Sequence, residues 1–553
     1  MDLPHRRHTI PRGRRRVVAS CRVHGLFSLV VAMGFALPSL AVELRGRIDA
    51  EFGGARVYLQ DENGKYFFVE SLDATSKTIR YDVKRGPRSF EQHTTVDGGF
   101  KVDLSPGMYE LTVEKGKEFL PFRKTVVLKE TPAVVDVKLE RWIDMNARGW
   151  FSGDTHVHRK VEDLKTLSPA EDLNVALPLT SWVTDSRETP ATHNKNPDPV
   201  PAAKLIEIDK THVIWPVNTE YEIFTVDGRG HTLGAVFVLN HKKALTMPAP
   251  PVRPIAEAAR RQGALLDLDK HNWPWSMMIV PEMEVGLFEL TNNHLWRTEF
   301  LFGDWYKEYG RSLIGGEGPL NEREWIDFGF ANYYALLNCG FGLKPSAGTA
   351  SGVHPVPLGY GRVYVNIDGD FSYEKWVDGL AKGRSFVTTG PMLECTIDGK
   401  FSDERLERQA GDRVVLRGKL ASLWRPADAS TTGSIEVIVN GKKLHRVVPQ
   451  PIHDPGKGYR LDFDMKIDVR ESCWIAVRAW TQGPNDRLRF AHTAPFHVDV
   501  AEKPLLPKEA EVRYLIDRVE DEIARHRGVL SKDALAEYES ALATYRKLFE
   551  AAR

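Results

Sequence analysis

The sequence predicts a multidomain protein of α/β plus β class, with a central segment of alternating strands and helices, a β-sandwich on either side of it and a C-terminal helical hairpin. Three observations lead there. At 553 residues the chain exceeds what one hydrophobic core can organise. Between residues 148 and 391 short apolar runs alternate with amphipathic helical ones, whereas residues 43–142 and 392–502 show period-two alternation broken by turn residues. From 505 to 553 apolar positions recur at helical spacing.

The first 41 residues stand apart. Seven arginines, Arg6 to Arg22, precede an apolar stretch from about Leu26 to Leu37 and then Ser39-Leu40-Ala41. A basic segment, a short apolar core and small residues form a secretory signal, with cleavage expected after Ala41. The apolar run is shorter than the roughly 20 residues that span a bilayer, so no membrane span is expected after cleavage. The protein is therefore expected to be secreted or periplasmic.

In the segment 43–142, Arg56 to Leu59 and Tyr66 to Val69 flank Asp61-Glu62-Asn63-Gly64, a turn cluster suited to a hairpin. Phe100 to Leu104 and Tyr109 to Val113 follow, divided by Ser105-Pro106-Gly107. This pattern is similar to the small sandwiches of the carboxypeptidase-regulatory kind. In the central segment, Pro254 to Gln262 reads as a helix stopped by Gly263, Ala264 to Leu268 and Gly286 to Leu290 as strands, and Trp325 to Leu337 as a second helix. Repeated strand and helix units imply parallel strands with crossover helices, in a barrel or a doubly wound sheet. The second sandwich is read from Asp412 to Leu416, Ile435 to Val439 with the turn Asn440-Gly441, Leu461 to Val469 and Cys473 to Trp480. In the hairpin, Lys508 to Arg527 and Asp533 to Arg553 are helical, Gly528 separates them and Ser531 can cap the second. Its charged face reads as solvated surface, and the hairpin as an appendage.

Charge narrows the function. The 75 basic and 75 acidic residues cancel, and removal of the arginine-rich leader would leave a net charge of −6. Nucleic-acid binding demands clustered Lys and Arg, so no nucleic-acid partner is expected. Cys339, Cys395 and Cys473 remain after the leader, too scattered for a disulfide scaffold.

The chemistry is carried by polar residues at the ends of apolar runs. Gly153-Asp154-Thr155-His156-Val157-His158 follows Trp150-Phe151, and two histidines two apart on an extended segment face one way. Glu220 and Glu222 follow Val213 to Pro216, His271 follows Ala264 to Leu268, His294 follows Leu287 to Leu290, and His354 follows the extended segment near Leu343. In parallel α/β folds ligands gather outside the carboxyl ends of strands. Imidazoles with a carboxylate suit Zn, Mn or Fe, which makes His156, His158, Glu220, His271, His294 and His354 candidate metal ligands. Glu222 shares the strand parity of Glu220. His231 and Asp154 are candidates for orienting a ligand, and His231 with Glu220 for a catalytic role.

These motifs, with Asn218-Thr219-Glu220, Gly230-His231, Lys270-His271, Ser346-Ala347-Gly348 leading to His354, Gly361-Arg362-Val363-Tyr364 and Gly383 to Pro391, resemble the PHP-type metallohydrolases of the CehA/McbA group. The resemblance implies a distorted seven-stranded β/α barrel with divalent metals held by His and carboxylates. It also implies hydrolysis of an ester, amide, carbamate or phosphoester by metal-activated water, on a small-molecule or carbohydrate-linked substrate. His156 and His158 match the opening ligands, Glu220 the bridging carboxylate, His271 the later lone ligand and His354 the last histidine. Two positions depart: Thr180-Ser181-Trp182 stands where the group carries Thr-Asp-His, with only Asp185 nearby to substitute, and no aspartate precedes His354. Fewer carboxylates hold fewer dications, so one or two ions are expected. The same departures define the rival expectation, a secreted binding or scaffold protein whose degenerate site serves a glycan or protein partner.

Overall fold

The computed structural model describes residues 41–49, 53–192, 201–270, 272–425, 435–447 and 452–553. The expected signal segment lies outside the described residues, apart from Ala41. The fold is mixed α/β and strand-rich, with several sheets and eight α-helices among the described residues.

The N-terminal β segment forms two sheets. Val42–Ile48 runs antiparallel to Phe100–Leu104 and parallel to Ala133–Val137 in one of them. Ala55–Asp61 pairs with Tyr66–Phe67, Phe90–Val96 and Gly107–Glu114 in the other. The expected hairpin is present, with Leu59 opposite Phe67. Leu44, Val57, Phe100, Leu111 and Val113 are fully buried in the core formed here, and burial alternates along Val42–Ile48 and Gly107–Glu114.

The central segment departs from an all-parallel reading. Trp150–Val157 is parallel to Val175–Pro178 on one side and antiparallel to Arg362–Asn366 on the other. Its eight residues are all buried, since both faces of the strand are covered. A second sheet of seven strands holds Ser181–Asp185, Thr219–Val226, Arg229–Leu239, Leu265–Asp269, Leu287–Thr291 and Lys344–Ala347. In it Thr219–Val226, Arg229–Leu239 and Leu265–Asp269 form an antiparallel meander, and Leu265–Asp269, Leu287–Thr291 and Lys344–Ala347 run parallel. The two sheets meet where the Thr155 hydroxyl donates to Asp267 at 3.1 Å and to the Ala347 carbonyl at 3.2 Å.

The helices sit close to their expected bounds. Arg253–Gln262 ends at Gly263, whose φ of 66° suits a residue without Cβ. Glu322–Asn338 begins in a capping box between Asn321 and Glu324. Glu509–His526 and Lys532–Glu550 form the hairpin, with Ser531 accepting from the Ala534 amide. Its outer charges, among them Arg513, Asp517, Glu520 and Arg546, are exposed as expected, but the hairpin is packed in rather than appended. It buries Arg518, Glu522, His526 and Glu537, and Glu537 accepts the backbone amides of Val252 and Arg253.

Residues on either side of the expected boundary at 391 share a sheet. Ser385–Thr388 pairs with Leu488–Thr493, so the sheet that holds the histidine strand continues through Cys473–Gln482 and Ile435–Val439. The three cysteines are buried and unbridged.

The N-terminal sheets are tied to the centre by buried charge. Glu91, fully buried, accepts from Tyr58 at 2.6 Å and from Arg297 at 2.9 Å, and contacts the His93 ring at 3.0 Å. Burial opposes its ionisation, but Arg297, His93 and Tyr58 outweigh it and hold the carboxyl at about 2, below its ordinary 4.5. Burial likewise holds His93 down to about 4 from 6.5. Both depressed values stabilise the fold at neutral pH, and the stabilisation is lost as pH falls, first through 6.5 to 4 and then through 4.5 to 2. We expect Glu91→Gln to lower unfolding free energy by about 3 kcal/mol at pH 7 and to flatten the acid limb, read by urea denaturation across pH.

Candidate metal centre

His156 occupies the penultimate position of Trp150–Val157 and His158 follows the strand, so both rings lie on one side of it. Their Nε2 atoms are 3.2 Å apart. His158 Nε2 is 3.2 Å from Glu220 Oε2, and His156 Nε2 is 3.9 Å from Glu220 Oε1. Two nitrogens bound tetrahedrally to one ion at ordinary lengths would stand about 3.3 Å apart, so this spacing fits a shared cation. Glu220 is 1% exposed, and neither of its oxygens accepts a hydrogen bond among the described residues. A buried carboxylate left in this state is costly unless a cation completes it.

The His156 ring is oriented from behind. Its Nδ1 lies 2.8 Å from Glu289 Oε1, an arrangement in which Nδ1–H donates to the carboxylate and leaves the Nε2 lone pair facing His158 and Glu220. Asp269 Oδ1 stands 4.0 Å from the same nitrogen. Gly348 makes this possible, because a Cβ there would lie 2.0 Å from Glu289 Oε1 and 2.2 Å from His156 Cβ.

A third group of acids, Glu220, Glu222 and Asp269, surrounds the Lys270 ammonium. Lys270 contacts Asp269 directly and lies 3.5 Å from Glu222 Oε1. Burial disfavours its charge, yet Asp269, Glu222 and Glu220 more than compensate and hold its pKa above the usual range. The carboxyls respond in the opposite sense. Burial pushes Glu220 and Glu222 up to about 8 and Glu289 well above its ordinary value. One fixed ammonium does not offset four acids; a divalent ion could supply the remainder, and without one the raised carboxyls take up protons.

The expected ligands therefore divide. His156, His158 and Glu220 come together, and Glu222 joins through Lys270. His271 lies outside the described residues. His294 and His354 join none of these ligand groups among the described residues, although both are close enough to His156 to act on its charge. They sit with each other, ring centres 6.4 Å apart, in an aromatic wall. Phe302 stacks on His294 at 4.1 Å, Trp305 is 4.5 Å from it, and Trp296 is 5.8 Å from His354. The loop bearing His354 is clamped by Tyr81, whose hydroxyl donates to the His354 carbonyl and accepts the Gly352 amide at 2.8 Å.

His231 is placed elsewhere: it pairs at 2.8 Å with His526 of the helical hairpin and contacts no candidate ligand among the described residues. Asp154 accepts from the Thr349 hydroxyl and from the His156 and Gly359 amides, holding the loops rather than an imidazole. Asp185 is occupied by the Thr225 hydroxyl and the Arg187 and Gly228 amides. Trp182 pairs in register with Glu220, and its ring lies 5.2 Å from that of His158. Glu220 itself is near the start of Thr219–Val226, not at the end of Val213–Ile214. Asp269 and Glu289 are not among the expected ligands, although charges inside the apolar runs Leu265–Asp269 and Leu287–Thr291 are the signal that marks them, and Lys270 enters the sequence reading only within the Lys270-His271 motif.

No family model, curated protein or solved structure matches the chain. We expect the purified protein to retain about one equivalent of a transition ion by elemental analysis. Chelation should lower the thermal midpoint by several degrees, and Glu220→Gln should weaken metal affinity by at least about tenfold.

Proposed function

We propose that the chain is an exported metal-dependent hydrolase of the PHP type, acting on an ester, amide, carbamate or phosphoester. The observation that supports this reading most is the meeting of His156, His158 and Glu220 within 3.2 to 3.9 Å, with both Glu220 oxygens buried and accepting no hydrogen bond. These three residues would hold the ion, with Glu289 behind His156 fixing its tautomer. A divalent ion bound there supplies Lewis acidity, polarising a carbonyl or phosphoryl oxygen and acidifying water.

The chain's own groups divide the rest of the work. Glu222 and Asp269 keep the Lys270 ammonium inside the cluster, where it can donate to a developing oxyanion. Trp182 covers His158, and the wall around His294 and His354 excludes water from the neighbouring space. In this reading the two sheets that meet at Thr155 and Asp267 are the halves of an opened, distorted barrel.

Trp182 beside Glu220, where a ligand is expected, favours the second reading, a secreted binding protein that holds an ion without turnover. A panel of nitrophenyl esters and phosphoesters with added Mn or Zn separates the two. Hydrolysis that falls about a hundredfold or more in His158→Ala is expected. Activity untouched by that substitution, or its absence with every metal, would overturn the hydrolase reading.

A further inference from the structure

A second concentration of charge lines a cavity of about 170 Å³ to which none of the metal-centre residues contributes. Its walls come from the N-terminal β segment, the central segment, chiefly Glu171, Arg297 and the loop Leu358 to Arg362, and the C-terminal β segment. Six cations, Arg56, Lys117, Arg123, Arg297, Arg362 and Arg489, face two carboxylates, Glu114 and Glu171.

The carboxylates are already spent. Arg56 engages both, each at 2.9 Å, and Arg297 pairs with Glu91. Lys117, Arg362 and Arg489 form no ion pair among the described residues. Arg362 donates to the carbonyls of Gly359, Asp172 and Glu171. Lys117 donates to the Thr389 carbonyl at 2.8 Å, and Arg489 to those of Leu488 and Arg297. Lys117 and Arg489 share the ring of Tyr360, at 4.7 and 5.2 Å from its centre. Arg489 is 4% exposed, and the Tyr360 hydroxyl is buried with no hydrogen-bond partner among the described residues.

Carbonyl dipoles and one ring face offset only part of the cost of burying two neighbouring cations. Burial, together with the charges of Arg362 and Arg489, drives the Lys117 ammonium well below its ordinary pKa, the mark of a site short of negative charge. The volume admits roughly six waters, enough for a tetrahedral anion with part of its shell and too small for a nucleotide. A guanidinium fork, an ammonium and a phenol are the donors such an anion takes.

We propose that this cavity binds a small dianionic oxyanion of the phosphate or sulfate class, held by Lys117, Arg489 and the Tyr360 hydroxyl. The site stands independently of the hydrolase reading. It joins three parts of the chain, so its occupant would also brace them.

The test uses the full chain in chloride buffer at fixed ionic strength, titrated calorimetrically with inorganic phosphate, sulfate and glycerol 3-phosphate, with thermal midpoints alongside. Saturable binding and a midpoint raised by a few degrees are expected. Tighter binding of inorganic phosphate identifies a free ion as the occupant, and tighter binding of glycerol 3-phosphate identifies the head of a larger ligand. Tyr360→Phe should leave the anion-free midpoint unchanged or higher, since it removes an unpaired hydroxyl, yet weaken binding several-fold. Lys117→Gln should weaken it about tenfold or more, and binding should persist in His158→Ala, which separates it from the metal centre. Absence of saturable binding, or an equal midpoint rise in the wild type, Tyr360→Phe and Lys117→Gln, would overturn the proposal as a general salt effect. Should Lys117→Gln fail to fold, Tyr360→Phe alone decides.

Discussion

Mutual repulsion among buried acids is the constraint around which the central sheets are built. Glu220, Glu222, Asp269 and Glu289 share one interior with two imidazoles and a single ammonium. Such a group is unfavourable in isolation, because each carboxylate loses its water and gains a like-charged neighbour. The chain accepts that cost where three strands of one sheet face the end of a strand from another. Backbone bonding there, not the acids themselves, keeps the groups together. Burial raises the carboxyl pKa values, so protons or a bound cation can neutralise this interior, and the group could hold a metal ion.

The N-terminal β segment belongs to this arrangement more closely than its separate core suggests. Tyr81 grips the loop that carries His354, and Arg85 donates to the Val353 carbonyl at 3.0 Å. Glu91 anchors Arg297, three residues beyond His294. Both loops of the aromatic wall are thus fixed from outside the central sheets. Loops that border a site lack the mutual bonding of strands, and an external brace is one way to hold them still.

Much of this was legible in the sequence where local rules decide it. The turn at Asp61 to Gly64, the stop at Gly263, the cap at Ser531 and the facing of His156 and His158 follow from backbone sterics and side-chain period, and each stands in the structure. Pairing direction between distant strands has no such code, so the antiparallel meander through Arg229–Leu239 was not foreseen. Strand ends alone do not say which histidines share one ion: His156 and His158 meet Glu220, whereas His294 and His354 stand nearby in an aromatic wall. Asp269 and Glu289 were hidden for another reason: their apolar neighbours drew them into an expected core. The hairpin's docking was hidden because Arg518 reaches the Trp273 carbonyl and Glu537 the amides of Val252 and Arg253, partners far away in sequence.

The sheet shared by the histidine strand and the C-terminal β segment has a consequence for how the chain can be divided. Cutting after Pro391 would strip Ser385–Thr388 of Leu488–Thr493 and bare a row of amides and carbonyls on an apolar edge. An excised central piece would tend to recruit strands from its neighbours and aggregate. The two portions thus complete each other's hydrogen bonding along one sheet.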